Sequence, residues 1–212
     1  MFEPNLNVSQ KYQLNLNPHL AHAKIVQYVS ENKRVLDVGC ATGYLAKELK
    51  KKNCYVVGIE LDPETAKAAT RYCDKVITGN VEMINEIPYP EGFFDIIIYA
   101  DVLEHLVRPD LVLKKFAKYL SKKGYVLASI PNIVNWYYRL KFLFGTFNYE
   151  ESGILDKTHL RFFTLKTVKE LFETSDYRII KIDYTGFASK YKILRLFPGF
   201  FAIQFIIAAQ RR

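Results

Sequence analysis

A chain of 212 residues, half of them apolar and a quarter charged, is long enough for one domain with a real core and has the balance of a soluble globular protein. Thirty basic residues against 22 acidic ones leave +8, a charge that suits nucleic acid, an anionic membrane surface, a phosphorylated substrate or simply a lysine-rich solvated face. The lysines are spread over 47–52, 114–123 and 166–192 with no nucleic-acid motif among them, which argues against nucleic acid as the partner.

In chain order, residues 1–17 read as a polar and partly mobile segment with no signal-peptide pattern. A helix is expected over 18–31, with Pro18 near its start. A strand, a glycine-containing turn, a helix and a second strand follow over 34–60. Asp62 is an N-cap and Pro63 a first helical residue for a helix over 63–72. KVITGN is a third strand ending at Asn80, and FFDIIIYAD is a nearly continuous apolar run suited to the centre of a parallel sheet. A helix over 109–121 leads to a fifth strand, GYVLASIPN. Residues 133–147 are aromatic, basic and helical in character, and 148–163 are irregular. Thr164 caps a helix over 165–175. Two last strands, near 177–184 and 202–210, have no helix-length crossover between them, so they should pair as an antiparallel hairpin. The intervening 185–201 is long for a hairpin loop.

Three cysteines, Cys40, Cys54 and Cys73, lack metal-ligand spacing, so a reducing compartment, no disulfide framework and no metal site are expected. The longest apolar stretch, Phe197 to Ala209, is too short to span a bilayer and contains Pro198 and Gly199. A cytoplasmic protein is expected, with peripheral membrane contact left open and the oligomeric state unread. Strand–helix alternation gives an open, mostly parallel α/β sheet with helices on both faces.

The segment VLDVGCATGYLAKELKKKNCYVVGIE, Val35 to Glu60, carries the chemistry. A glycine turn between a strand and a helix N-terminus lets backbone N–H groups approach a ligand. An acid closing the next strand, Glu60, can accept from two ribose hydroxyls. The dinucleotide pattern G-x-G-x-x-G fits poorly, because Ala41 and Tyr44 stand at its second and third glycines. The pattern present is D-x-G-x-x-x-G, Asp37, Gly39 and Gly43, and it resembles motif I of the class I S-adenosylmethionine (SAM) dependent methyltransferases. That family most often has glycine where Ala41 stands.

The resemblance runs from about Val35 to Gln210. It is nearest to small methyltransferases met near glycan and cell-surface biosynthesis, through D-V-L-E-H at 101–105, S-x-P-N at 129–132 and G-x-L-D-x-T-H-x-R-F-F at 153–163. It implies a Rossmann-like, seven-stranded α/β sheet with a terminal antiparallel hairpin. It also implies one SAM-dependent domain over 1–212, with 133–163 and 185–201 as acceptor-side cap segments. SAM is the implied cofactor. The turn Gly39, Cys40, Ala41 and Gly43 would meet its methionine tail and ribose, and Asp37 would favour the tail's ammonium or merely tie down the turn. Asn80 stands where the family commonly has aspartate and would accept from the adenine amino group. Leu61 and Val81 would sandwich the ring, and Ala100 and Asp101 would line the cofactor.

Methyl transfer needs alignment, and an oxygen acceptor of high pKa also needs a general base. The candidate catalytic residues are His159, His105 and Asp101. His105 also suits a structural turn. Asp156 could orient the His159 imidazole, or an Arg161–Asp156 pair could hold a lid. The acceptor implied is a small-molecule, sugar or lipid-linked one, most simply methylated on oxygen. Two other readings stay open: an RNA methyltransferase, weakened because Ala-Asp-Val-Leu replaces an Asn-Pro-Pro-Tyr-type tetrapeptide, and a non-catalytic SAM-binding partner subunit, supported only by Ala41 and Asn80. SAM titration separates the last from the first.

Overall fold

The computed structural model describes residues 17–212, so the expectation for the polar segment before them lies outside the described residues. Seven strands form one sheet: β1 Arg34–Val38, β2 Tyr55–Glu60, β3 Lys75–Thr78, β4 Phe94–Ala100, β5 Leu120–Pro131, β6 Tyr177–Gly186 and β7 Ala202–Arg211. Their order is β3-β2-β1-β4-β5-β7-β6. The first five run parallel, and β7 is antiparallel to both β5 and β6. The expected terminal hairpin is therefore present, with β7 inserted beside β5 rather than at the edge.

Side-chain alternation explains the two-faced packing. Leu36, Val38, Ile97 and Tyr99 point to one face, which α4 (Pro109–Phe116) and α6 (Leu165–Thr174) cover with Val112, Phe116, Val168 and Phe172. Val35, Ile96, Ile98 and Leu127 point to the other, covered by α1 (Ala21–Tyr28), α2 (Tyr44–Lys50) and Ala69 of α3 (Pro63–Ala69). β4 is apolar on both sides because both sides are buried.

The boundaries follow local chemistry. Asp62 accepts from the backbone N–H of Thr65 at 2.8 Å and Pro63 opens α3, as the sequence indicates. Thr164 and Thr167 form a reciprocal cap on α6. α1 starts three residues later than Pro18, at Ala21, and α4 ends at Phe116, because Leu120 already pairs with Phe94. The aromatic insertion yields α5, Trp136–Leu143, capped by Asn135, and 148–163 carries no regular element beyond isolated bridges. The 185–201 connection is not a plain loop: it holds α7 (Phe187–Lys190), a 3₁₀ turn (Lys192–Leu196) and α8 (Pro198–Phe201).

The order places the switch point between β1 and β4, whose chains leave toward opposite sides, so a crevice opens beyond their carboxyl ends. No helix among the described residues is long and apolar enough to cross a membrane.

Candidate active site

The turn after β1 is built from left-handed residues. Gly39, Ala41 and Gly43 have φ of 71°, 46° and 76°. The N–H groups of Gly39 and Cys40 both donate to the Ile59 carbonyl, at 2.8 and 3.0 Å, and stitch the turn to β2. Gly39 is also demanded by crowding, since a Cβ there would lie 2.6 Å from Cγ2 of Val102. The obstacle to a side chain at this position is thus first the loop after β4. Cys40 offers only its backbone, because its sulfur fills the space above Gly58.

Glu60 braces this turn. One carboxylate oxygen accepts from Ala41 N at 2.9 Å and the other from Asp62 N at 3.0 Å. Each retains lone pairs for a hydroxyl donor. Asp37 is 1% exposed, and neither of its oxygens has a hydrogen-bond partner among the described residues. Burial pushes its carboxyl up to about 7, with His22 opposing the shift and Glu60 adding to it. An orphaned, buried carboxylate beside a left-handed turn is a fit for an ammonium. Leu61 and Val81 follow the neighbouring strands β2 and β3; Val81 is buried and Leu61 exposed. Asn80 is exposed, and its side-chain oxygen already accepts from Glu82 N at 2.8 Å.

Ala100 ends β4 buried, and Asp101 follows in a left-handed conformation with φ 55°. Asp101 Oδ1 accepts from Ser129 Oγ at 2.7 Å and from Gln204 Nε2 at 2.8 Å, while Oδ2 lies 3.2 Å from His22 Nε2. Burial alone would raise this carboxyl, but His22 and Ser129 outweigh it and hold it below the ordinary range. A carboxylate so satisfied anchors its neighbours and is ill suited to take a proton. His22 and Gln204 were not legible as site residues. They come from a helix 79 positions earlier and a strand 103 positions later, outside any motif.

The 153–163 segment is fastened to the loop after β4. Leu160 N and Arg161 N both donate to the Glu104 carbonyl at 2.9 Å. His159 Nδ1 bonds the Ile154 carbonyl at 3.0 Å, which places its proton on Nδ1 and a lone pair on Nε2. Burial also lowers its pKa, keeping the ring neutral. His105 Nδ1 meets the Thr158 carbonyl at 3.2 Å, and the two imidazoles stand edge to face, 4.7 Å apart. Asp156 does not orient His159. Its carboxylate takes Thr158 N and Oγ1, at 2.8 and 2.6 Å, because the turn brings those donors closer. Arg161 bonds the Val107 carbonyl instead of Asp156, so the expected Arg–Asp pair is replaced by a tie to the body of the protein.

Glu104 is 1% exposed, neither carboxylate oxygen has a partner among the described residues, and burial together with Asp101 and Asp156 pushes it well above the ordinary range. Ligand atoms of Glu104, His105 and His159 lie within 4.8 Å of one another, so these three could hold a divalent cation. The cysteine spacings behind the expectation of no metal site could not show a cluster that only the fold assembles.

Two cavities meet here. One, of about 350 Å³, is lined by Asp101, Glu104, His105, Asp156, His159 and Gln204 among others. The second, of about 300 Å³, is lined by Trp136, Tyr137, Tyr138, Phe187 and Phe201 among others. They share Gly153, Ile154 and Ile203.

A seven-stranded sheet with this order, a glycine turn after β1 and an acid closing β2 is the class I SAM-dependent methyltransferase architecture, and SAM is its cofactor. The chain belongs to the methyltransferase-domain family, whose model matches residues 12–182. It is similar to the ubiquinone biosynthesis O-methyltransferase of Bradyrhizobium diazoefficiens, 33% identical over 106 residues, 49% of this chain and 41% of that protein. The protein of the same name from Psychrobacter arcticus is 28% identical over 52% of this chain and 46% of its own length. The matched stretch thus spans under half of these relatives. Among solved structures, a SAM-dependent methyltransferase from Thermotoga maritima, described as a possible histamine N-methyltransferase, aligns over 92% of this chain and 89% of its own with TM-score 0.68 and 20% identity. One from Archaeoglobus fulgidus aligns over 89% and 90% with TM-score 0.65 and 18% identity. These two share the fold.

Proposed function

We propose that this methyltransferase acts on an oxygen of a small acceptor whose hydroxyl enters the polar cavity and whose apolar or aromatic body fills the aromatic one. The observation that carries this reading is that the two cavities lie side by side, with Gly153, Ile154 and Ile203 in the walls of both. The names of the curated relatives, O-methyltransferases of ubiquinone biosynthesis, support oxygen as the acceptor atom.

SAM, when bound, supplies a methyl group on an electrophilic sulfonium. Asp37, the 39–43 turn and Glu60 would hold its tail and ribose, with Leu61, Asn80, Val81 and Ala100 about the adenosine. His159 then acts as general base: Nε2 carries the free lone pair, and the Nδ1–H bond to Ile154 fixes the ring while the proton is taken up. His105, set edge-on, limits its rotation. Asp101 is a positioning residue, holding His22 and Gln204 at the rim.

The orphaned Glu104 favours a second reading, in which Glu104, His105 and His159 would hold a divalent cation, whose chemistry there would be to lower the pKa of the acceptor hydroxyl. A chelator separates the two, because it abolishes turnover only in the second.

The substrate proposal is tested with labelled-methyl SAM and paired acceptors: a dihydroxybenzoid bearing a prenyl chain, the same ring without it, and a polyprenyl-phosphate sugar. A chain on the acceptor should lower KM about tenfold or more, since several buried methylenes contribute about 0.8 kcal/mol each. Equal KM with and without the chain would contradict the role given to the aromatic cavity.

A further inference from the structure

We infer that the cap surface formed by α5 and the 187–203 segment docks on an anionic phospholipid bilayer. Fourteen of the 21 exposed large hydrophobic side chains among the described residues lie in 136–149 and 187–203, and the other seven are scattered over the rest of the chain. Leu143 and Phe144 are each 77% exposed, and Ile193 and Leu196 each 68%. α5 gives only Tyr138 and Phe142 to a small cluster with Ile133, Ile154 and Leu155, and leaves Trp136, Tyr137, Leu140 and Leu143 exposed. The two segments form one surface: the Arg139 guanidinium lies 5.7 Å from the Phe200 ring centre, Asn132 donates to the Gly199 carbonyl, and both segments line the aromatic cavity.

Charge identifies the occupant. Residues 133–149 and 187–203 contain Arg139, Lys141, Lys190, Lys192 and Arg195 and no Asp or Glu; Lys141 is paired with Glu150 at the border of the patch at 2.9 Å, which leaves four cations to set its sign. Bases interleaved with exposed aromatic and aliphatic side chains match the interface of an anionic leaflet. The rings and methyls enter the headgroup region and the cations meet phosphate. A second copy of this face would set one cationic rim against another, and a patch this concentrated is beyond ordinary surface apolarity. With no spanning helix among the described residues, the contact is peripheral. It would set the aromatic cavity against the acyl boundary; that consequence rests on the acceptor reading above, whereas docking itself does not.

The chain has a single tryptophan, Trp136, and it sits in this patch. The test is co-sedimentation of the full chain with vesicles of phosphatidylcholine alone or mixed equally with phosphatidylglycerol, with Trp136 emission recorded in parallel. Binding to the anionic vesicles with a blue shift of Trp136 is expected, weakened by salt and by about fivefold for each of Lys192→Glu and Arg195→Glu. Leu143→Asp with Phe144→Asp should abolish the shift while leaving the melting temperature and SAM affinity unchanged. These side chains are exposed, so the variant tests the surface rather than the fold. Absence of binding to anionic vesicles would overturn the inference, as would a stable dimer abolished by the same two substitutions. Because vesicle binding is read without an acceptor, its failure is distinct from failure of the substrate proposal.

Discussion

His22 Nε2 lies 3.2 Å from Asp101 Oδ2, and the same nitrogen is 3.3 Å from the Tyr44 hydroxyl. One imidazole thus ties the first described helix to the end of β4 and to the first turn after the glycine loop, across the mouth of the crevice. α1 is independently anchored, because Lys24 Nζ and Tyr28 Oη reach Asp183 Oδ2 at 2.8 and 3.0 Å. His22→Ala should therefore loosen the rim without unfolding the protein. SAM affinity should fall about tenfold, the scale of one hydrogen bond to a charged group, while the melting temperature moves only slightly. Titration calorimetry beside a thermal melt reads both, and an unchanged Kd would remove His22 from the binding role.

Ala41 holds a left-handed conformation at φ 46°, where the related motif most often carries glycine. A left-handed L-residue costs about 1–2 kcal/mol, part of which glycine returns as greater freedom of the unfolded chain. Ala41→Gly should then stabilise the protein by roughly 0.5–1 kcal/mol, seen as a higher urea midpoint at unchanged slope. A lower midpoint would mean that the methyl group packs usefully in the turn.

The Asp37 carboxyl titrates near 7 in the folded protein and near its ordinary 3.8 when unfolded. Between those values the native state binds more protons than the unfolded one, so this group lowers stability as pH rises. Its penalty is absent below 3.8 and complete above about 7. Asp37→Asn should raise the melting temperature of the ligand-free protein at pH 8 and leave it nearly unchanged at pH 4. The gain is bounded by on the order of 4 kcal/mol. The same variant should lose most SAM affinity at pH 8, because it cannot pair with an ammonium, and lose less at pH 4, where the wild-type carboxyl is itself protonated. A melting temperature unaffected at pH 8 would show that Asp37 is neutralised by some other partner.

The sheet was legible because its strands announce themselves: β-branched runs at 55–59, a doubly buried run at 94–100, Asp62–Pro63 opening α3, and no helix-length crossover pattern between β6 and β7. Glu60 was legible from its place after YVVGI. The rim of the site was not. His22, Gln204 and Asp101 meet through tertiary packing of separate elements, and the burial of Glu104 without a hydrogen-bond partner among the described residues is likewise set by the fold and not by a motif. Asp156 shows the opposite failure: its spacing to His159 suggested a pair, but a donor two residues on captured it first. The short helices α7 and α8, four residues each, are below the length at which periodicity carries a signal.

The most direct measurement is single-turnover methyl transfer to the prenylated acceptor by wild type and His159→Ala, with SAM affinity determined on the same samples and EDTA added in a parallel series. With His159 as general base, the substitution should lower the rate roughly a hundredfold or more, leave the SAM Kd unchanged and make wild type indifferent to EDTA. A variant that transfers methyl at the wild-type rate, or that loses activity only in proportion to its unfolded fraction, would contradict the role assigned to His159.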